Sequence, residues 1–124
     1  MNPVGSYSLA SVNGRDLPAV WDEIAAQNGD RIRALWTAGR AVFLPNGLYT
    51  LTVQGSLAVG ERTEAFPPFA TEGTWRTTPD GLLEMHSVRG CTGRLQVSSD
   101  SSVLVARSKR RRRSTFVFLR ERAG

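Results

Sequence analysis

The chain has 124 residues, a length that fits one hydrophobic core, and we predict a single domain over residues 1–124. Its 16 Lys and Arg residues exceed its 11 Asp and Glu residues, but five of the cations form one run near the C-terminus, so the rest of the chain is charge-balanced. This distribution argues against a nucleic-acid groove lined with separated cations. One cysteine and one histidine exclude an internal disulfide and a structural zinc site built from paired thiols and histidines.

The N-terminal stretch MNPVGSYSLASVNG lacks the basic segment and apolar segment of a signal peptide, and no apolar run approaches the roughly 20 residues of a membrane span. We therefore expect a cytoplasmic protein with no transmembrane segment. A chain trimmed after export would have the same sequence, so a secreted or periplasmic protein is the alternative.

The most frequent pattern along the chain is alternation of apolar and polar residues between turn residues, which is typical of half-buried strands in an antiparallel sheet. The first such segment, GSYSLASV, places Tyr7 and Leu9 on one face. It ends at Asn13-Gly14, a dipeptide that accepts the positive φ angles of a tight turn. We predict a first strand that ends at this turn.

The next segment, DLPAVWDEIAAQNGD, predicts a short helix within residues 18–28. Pro18 stands near a possible first turn, Val20 and Ile24 are four residues apart, and Asn28-Gly29 is a stop signal.

The segment RIRALWTAGRAVFLPNGLYTLTV predicts two or three strands, with a kink or bulge at Gly39 and a turn at Pro45-Asn46-Gly47. The following stretch, QGSLAVGERTEAFPPFATEG, is less regular because Pro67-Pro68 breaks any central strand. We expect this stretch to cover an opening of the fold.

The C-terminal third alternates again, from GTWRTT through a turn at Pro79-Asp80-Gly81 to a strand with Leu83 and Met85 on one face. After a further turn and strand, the segments SVLVARS and STFVFLR stand on either side of the basic run. We therefore predict that the run is the tip of a hairpin.

About eight short antiparallel strands with one short helix indicate an all-β fold, either a closed barrel or a sandwich. An up-and-down barrel is favoured, because sequential hairpins of similar length connect easily and closure removes exposed sheet edges.

Four stretches, GSYSLASVNGRDLP, GRAVFLPNGLYTLTV, EGTWRTTPDGLLEM and STFVFLRER, resemble in this order the small bacterial lipocalin-like domains of the calycin superfamily. Lipocalins usually open with Gly-x-Trp, and this chain has Gly5-Ser6-Tyr7 instead. The resemblance implies an eight-stranded barrel with a pocket for an apolar ligand. It also implies that Arg120 of the last strand covers the Tyr7 ring, or that Arg122 does so if the register is shifted.

The chemistry-bearing residues suggest no catalytic site. His86, the single histidine, is predicted to form a solvent-facing pair with Glu84, and no nucleophile stands near it in sequence. Arg89 and Arg94 flank Cys91 and would make its thiolate more reactive, but a small residue in a tight turn is the favoured interpretation.

Glu61, Glu64 and Glu72 fall in an irregular stretch where solvated charge is expected, and neither a Gly-x-Ser-x-Gly motif nor a phosphate-binding loop occurs. We predict a protein that is not an enzyme and has no catalytic residue, metal or cofactor.

Five large side chains share the apolar faces of their strands. An eight-stranded barrel is just wide enough for side chains or one small ligand, so they are either core or pocket wall. The favoured function is the binding of a small apolar molecule by Trp36, Phe43, Tyr49, Trp75 and Met85.

The basic run supports an alternative function in a different class. Consecutive cations repel one another, so an anionic partner such as a nucleic acid would be a natural counter-ion. The competing interpretation is that charges at a hairpin tip keep a β protein soluble. The candidate polyanion-binding residues are Lys109, Arg110, Arg111, Arg112 and Arg113.

Overall fold

The computed structural model describes residues 2–25, 29–65, 68–108 and 114–121. This part of the chain contains β-strands and no helix. All of them belong to one antiparallel sheet. The strands are β1 (Gly5–Val12), β2 (Arg15–Asp16), β3 (Ala19–Ala25), β4 (Arg31–Phe43), β5 (Leu48–Val59), β6 (Arg62–Ala65), β7 (Phe69–Thr77), β8 (Leu82–Ser87), β9 (Thr92–Val97), β10 (Val103–Ser108) and β11 (Ser114–Arg120).

Eight of these strands close into a barrel. Neighbours follow the order β1, β4, β5, β7, β8, β9, β10 and β11, and β11 pairs with β1 to complete the circle. Because successive barrel strands are spatial neighbours, the topology is up-and-down. The predicted all-β antiparallel barrel is confirmed.

The remaining three strands lie at the border of the barrel. β2 pairs with the end of β1, β3 pairs with Arg31–Trp36 of β4, and β6 pairs with Ser56–Val59 of β5. β4 and β5 are 13 and 12 residues long, so they extend past the barrel and form a four-stranded extension with β3 and β6.

The predicted helix within residues 18–28 is wrong. Ala19–Ala25 is a strand, β3, and residues 26–28 lie outside the described part of the chain. A helix of that length is marginal on local signals alone, whereas pairing with β4 satisfies the backbone groups on one side of the segment along its length. Gly29, with φ of 86°, therefore serves the connection to β4 rather than a helix end.

The predicted turns are in place. Asn13 and Gly14 have φ of 54° and 77°, and Gly81 has φ of 82°. The bulge in β4, however, lies between Trp36 and Ala38 rather than at Gly39. The stretch 54–73, predicted to be irregular, extends β5 and supplies β6 and the start of β7, with residues 66–67 outside the described part.

The core fills the barrel from the inward faces of its strands. The largest fully buried side chains are those of Tyr7, Phe43, Leu83, Leu104 and Val12. We call the two ends of the barrel the Tyr7 end, which carries the turn 44–47, and the Trp36 end, from which the extension projects. Within the described ranges, no helix has the length and apolarity that crossing a membrane requires.

Candidate ligand-binding interior

An aromatic cluster fills the Tyr7 end of the interior. Phe43 lies at its centre, with ring centroids 5.9 Å from Tyr7, 6.1 Å from Tyr49 and 6.2 Å from Trp75. The indole Nε1 of Trp75 donates a hydrogen bond to the carbonyl oxygen of Leu44 at 2.9 Å, which fixes the ring in the cluster. Three of the five predicted ligand residues, Phe43, Tyr49 and Trp75, therefore lie together at this end.

Arg120 covers the Tyr7 ring from outside the cluster. The two residues are opposite each other on β1 and β11, and the Arg120 Cζ atom lies 5.4 Å from the ring centroid. The guanidinium also donates hydrogen bonds to the carbonyl oxygens of Val4 and Asn2. The predicted contact is confirmed, while Arg122, the alternative, lies outside the described residues.

Gly5 makes room for this contact. An ideal Cβ atom there would lie 3.0 Å from an Arg120 guanidinium nitrogen, and the φ of 143° is one that other residues rarely adopt. The Tyr7 hydroxyl donates to the carbonyl oxygen of Pro3 at 2.9 Å and also lies 3.1 Å from that of Ser101. Burial raises the pKa of Tyr7, and the Arg120 charge offsets part of that rise. The Tyr7 end is thus closed by residues from both ends of the chain.

The Trp36 end of the interior is apolar but incompletely covered. Trp36 packs edge-on against Phe116, with centroids 6.2 Å apart, and both side chains are only partly buried. Phe69, on the inward face opposite Val53, is 52 % exposed. Met85, partly buried, lies between the two ends, opposite Trp75 on the neighbouring strand. An inward-facing side chain of a closed barrel is exposed to solvent only where the barrel interior is open to solvent.

The aromatic cluster carries a second buried hydroxyl group, that of Tyr49. Tyr49 is 3 % exposed, and its hydroxyl is hydrogen-bonded to the Thr71 side chain. Burial raises the pKa of Tyr49, so the phenol stays protonated and can serve as a neutral polar contact.

No protein-family model matches this chain, and no curated protein matches it.

The outer wall carries the histidine predicted from the sequence. His86 Nε2 donates to Glu84 Oε1 at 2.7 Å, and its Nδ1 lies 3.3 Å from Thr92 Oγ1. The pair is confirmed, but Glu84 is 4 % exposed rather than solvent-facing, because Arg76 and Arg94 also cover it. The hydrogen bonds from His86 and Arg76 lower the pKa of Glu84. This cluster is not predicted from the sequence, because its residues lie on three strands that are brought together only by the register of the sheet.

The other candidate residues do not converge. Cys91 is exposed in the connection between β8 and β9, and Glu61, Glu64 and Glu72 are exposed at separate positions. Among the described residues, no group of three His, Cys, Asp or Glu could hold a metal ion.

A groove of about 340 Å³ lies on the outer wall between β5, β7 and the turn after β8. Its lining mixes polar and apolar side chains, in contrast to the apolar interior. The lining residues are Thr50, Thr52, Ala70, Thr71, Glu72, Val88 and Arg89.

The basic run, residues 109–113, lies outside the described residues. The strands before and after it pair down to Ser108 opposite Ser114. The prediction that strands flank the run is therefore confirmed, and the run connects two paired strands.

Proposed function

We propose that this protein is a non-enzymatic, lipocalin-like barrel that binds one small apolar molecule in its interior, with entry at the Trp36 end. The observation that carries this proposal is the contrast between the two ends. At the Tyr7 end four aromatic rings pack together and Arg120 covers one of them, whereas at the Trp36 end Trp36 and Phe116 are partly buried and the inward-facing Phe69 is 52 % exposed.

The five predicted ligand residues take two roles in this proposal. Phe43, Tyr49 and Trp75 pack against one another and form the floor of the site. Trp36 and Met85 form its wall. Two residues that the sequence analysis did not select complete the wall and the rim, namely Phe116 and Phe69.

The residues at the Trp36 end favour a ligand with an apolar body. Aromatic and aliphatic side chains with few polar groups are typical of small-molecule sites, and an interior of this strand number holds one small ligand at most. The Tyr49 hydroxyl adds one polar contact at the floor, so a hydroxyl or carbonyl group at one end of the ligand fits better than a fully apolar molecule.

Binding should be saturable and should respond to filling of the interior. We expect a fluorescent apolar dye to bind with one-to-one stoichiometry, and retinol or a fatty acid to displace it while changing the tryptophan emission. Ala106 packs against the core beside Phe116, so Ala106→Phe should fill the site and weaken dye binding at least about tenfold.

The matched control is Gln96→Phe, which adds the same ring to an exposed residue on the strand next to Ala106 and should leave dye affinity unchanged. Circular dichroism spectra must show that both variants fold. Equal dye affinity in Ala106→Phe and the parent protein, or no saturable binding of any of these ligands, would refute the proposed function.

A second candidate function is docking on a polyanion through Lys109–Arg113. The supporting observation is the pairing of β10 and β11 down to Ser108 and Ser114, which places five consecutive cations in a single hairpin connection. A concentrated positive charge attracts nucleic acids and other polyanions without any sequence-specific contact.

Replacing Arg110, Arg111, Arg112 and Arg113 by serine tests this candidate. We expect elution from heparin at a much lower salt concentration and a melting temperature within about 2 °C of the parent, because exposed charges contribute little to stability. The control removes four dispersed cations and should shift elution less; its substitutions are Arg31→Ser, Arg33→Ser, Arg62→Ser and Arg89→Ser. Unchanged heparin retention after the first set of substitutions would exclude the run as the docking site.

A further inference from the structure

Two neighbouring strands are apolar on both faces. Leu104 of β10 and Phe118 of β11 are buried in the barrel core. The side chains that alternate with them point outward and form two directly opposed pairs, Val103 with Leu119 and Val105 with Val117. We call these four outward-facing residues, Val103, Val105, Val117 and Leu119, the aliphatic face.

The aliphatic face differs from neighbouring parts of the outer wall. The outward residues of β9 are Thr92, Arg94 and Gln96, and those of β1 opposite β11 include Ser8. Leu119 is 47 % exposed. Strands with apolar residues on both faces are typical of sheets covered on both sides, so this face is suited to a partner.

Opposite charges lie beyond the two ends of the aliphatic face. Arg107, three positions after Leu104, is exposed and donates a hydrogen bond to Gln96. Asp100, four positions before Leu104, is exposed in the turn between β9 and β10. Hydrogen bonds from Ser102 and Ser98 lower the pKa of Asp100 to about 2, so it is anionic at any pH of interest.

We propose that the aliphatic face is the interface of a twofold-symmetric dimer of this chain. We place the twofold axis in the plane of the interface and perpendicular to β10 and β11. The Trp36 end of β10 and β11 in one subunit then lies against the Tyr7 end of the same strands in the other. The end of the face near Arg107 in each subunit then lies against the end near the partner's Asp100. An axis parallel to the strands would place Arg107 against its own copy, and repulsion between like charges disfavours it.

The size of the interface predicts a weak dimer. Because the wall of a closed eight-stranded barrel is convex, only β10 and β11 can lie against the partner. They span roughly 10 Å, and six residues of a strand span roughly 20 Å, which gives a footprint of about 200 Å². Standard interfaces bury about 800 Å² per partner, so this dimer is weak and transient. We expect reversible dimerisation at protein concentrations of about 100 μM or higher.

Sedimentation velocity of the full chain across protein concentrations from about 10 μM to 1 mM tests the proposal, because this range covers a weak dimer. The weight-average mass should rise from one chain towards two. Val105→Lys should weaken dimerisation at least about tenfold, because a charge in an apolar interface is left unpaired. The matched control Thr50→Lys changes an exposed strand residue of β5 and should leave dimerisation unchanged.

The orientation has its own test. Asp100→Arg and Arg107→Asp should each weaken dimerisation, whereas the double variant should regain most of the loss because the opposed charges are exchanged. A fold defect in the turn would not be rescued in this way.

A chain that stays monomeric at every concentration overturns the proposal, and so does dimerisation that is insensitive to Val105→Lys. A monomer whose binding to anionic phospholipid vesicles is lost in Val105→Lys also overturns it, since the aliphatic face would then contact a lipid surface. Failure of the double variant to regain affinity overturns the orientation.

Discussion

Replacing Gly73 by alanine is expected to lower the free energy of unfolding by about 3 kcal/mol or more, a large fraction of the stability of a domain of this size. Gly73 is opposite Ser87 on β7 and β8. An ideal Cβ atom at Gly73 would overlap the carbonyl oxygen of His86 and lie 2.8 Å from its carbonyl carbon. Because these are backbone atoms held in the sheet, no side-chain rotation relieves the overlap. Urea denaturation monitored by tryptophan fluorescence measures the loss.

Gly93→Ala is the matched control. Gly93 lies opposite Met85, and Met85 lies opposite Trp75 of β7. An ideal Cβ atom at Gly93 would lie 3.5 Å from the terminal methyl group of the flexible Met85 side chain. This is an ordinary contact, so the substitution should be neutral or slightly stabilising through the unfolded state. Equal stabilities of the two variants would show that the backbone of β8 moves away at Gly73.

Arg120→Ala is expected to cost about 2–3 kcal/mol of unfolding free energy. The substitution removes the contact with the Tyr7 ring and the hydrogen bonds to the carbonyl oxygens of Val4 and Asn2. A cation above an aromatic ring contributes about 0.5–2 kcal/mol, and a hydrogen bond from a charged group about 1.5–3 kcal/mol, with the sum reduced by partial exposure. Thermal and urea denaturation measure the effect.

Arg62→Ala, on the exposed strand β6, is the control and should change the unfolding free energy by less than about 0.5 kcal/mol. Arg76 is unsuitable as a control, because it covers the buried Glu84 carboxylate. If Arg120→Ala were as stable as Arg62→Ala, the Tyr7 end would be closed by the aromatic cluster alone.

Local patterns predicted most of the strands correctly. Alternation placed Tyr7, Leu9, Leu83 and Met85 on inward faces, since the side-chain period of a strand is fixed by backbone geometry. The region of β3 was misassigned because its helix signals are individually weak and the pairing with β4 that overrides them is not local. The burial of Glu84 escaped prediction for the same reason, as Arg76 and Arg94 come from two other strands.

The sequence predicts which strand face carries each candidate ligand residue, but it does not predict how deeply each side chain is buried. Strict alternation would put Trp36 and Phe43, seven residues apart on β4, on opposite faces, and the bulge between Trp36 and Ala38 brings both side chains inward. Phe43 is nevertheless 1 % exposed and Trp36 only partly buried, because Trp36 lies where β4 extends beyond the barrel. Phe69 was not selected because its strand begins beside Pro67-Pro68, where the sequence does not predict a strand.

The barrel can close only late in synthesis, because the strand that closes it comes after all its other strands in the sequence. β11 is the last strand to leave the ribosome, and it alone fills the gap between β10 and β1. Until it arrives, the nascent chain is a curled sheet with two unpaired edges, and contacts such as Ser8 with Glu121, 113 residues apart, cannot form. Closure of the barrel must therefore wait until residues 114–120 have been synthesised and have emerged, and nascent chains that end before residue 114 should be the species that chaperones must protect from edge-to-edge aggregation.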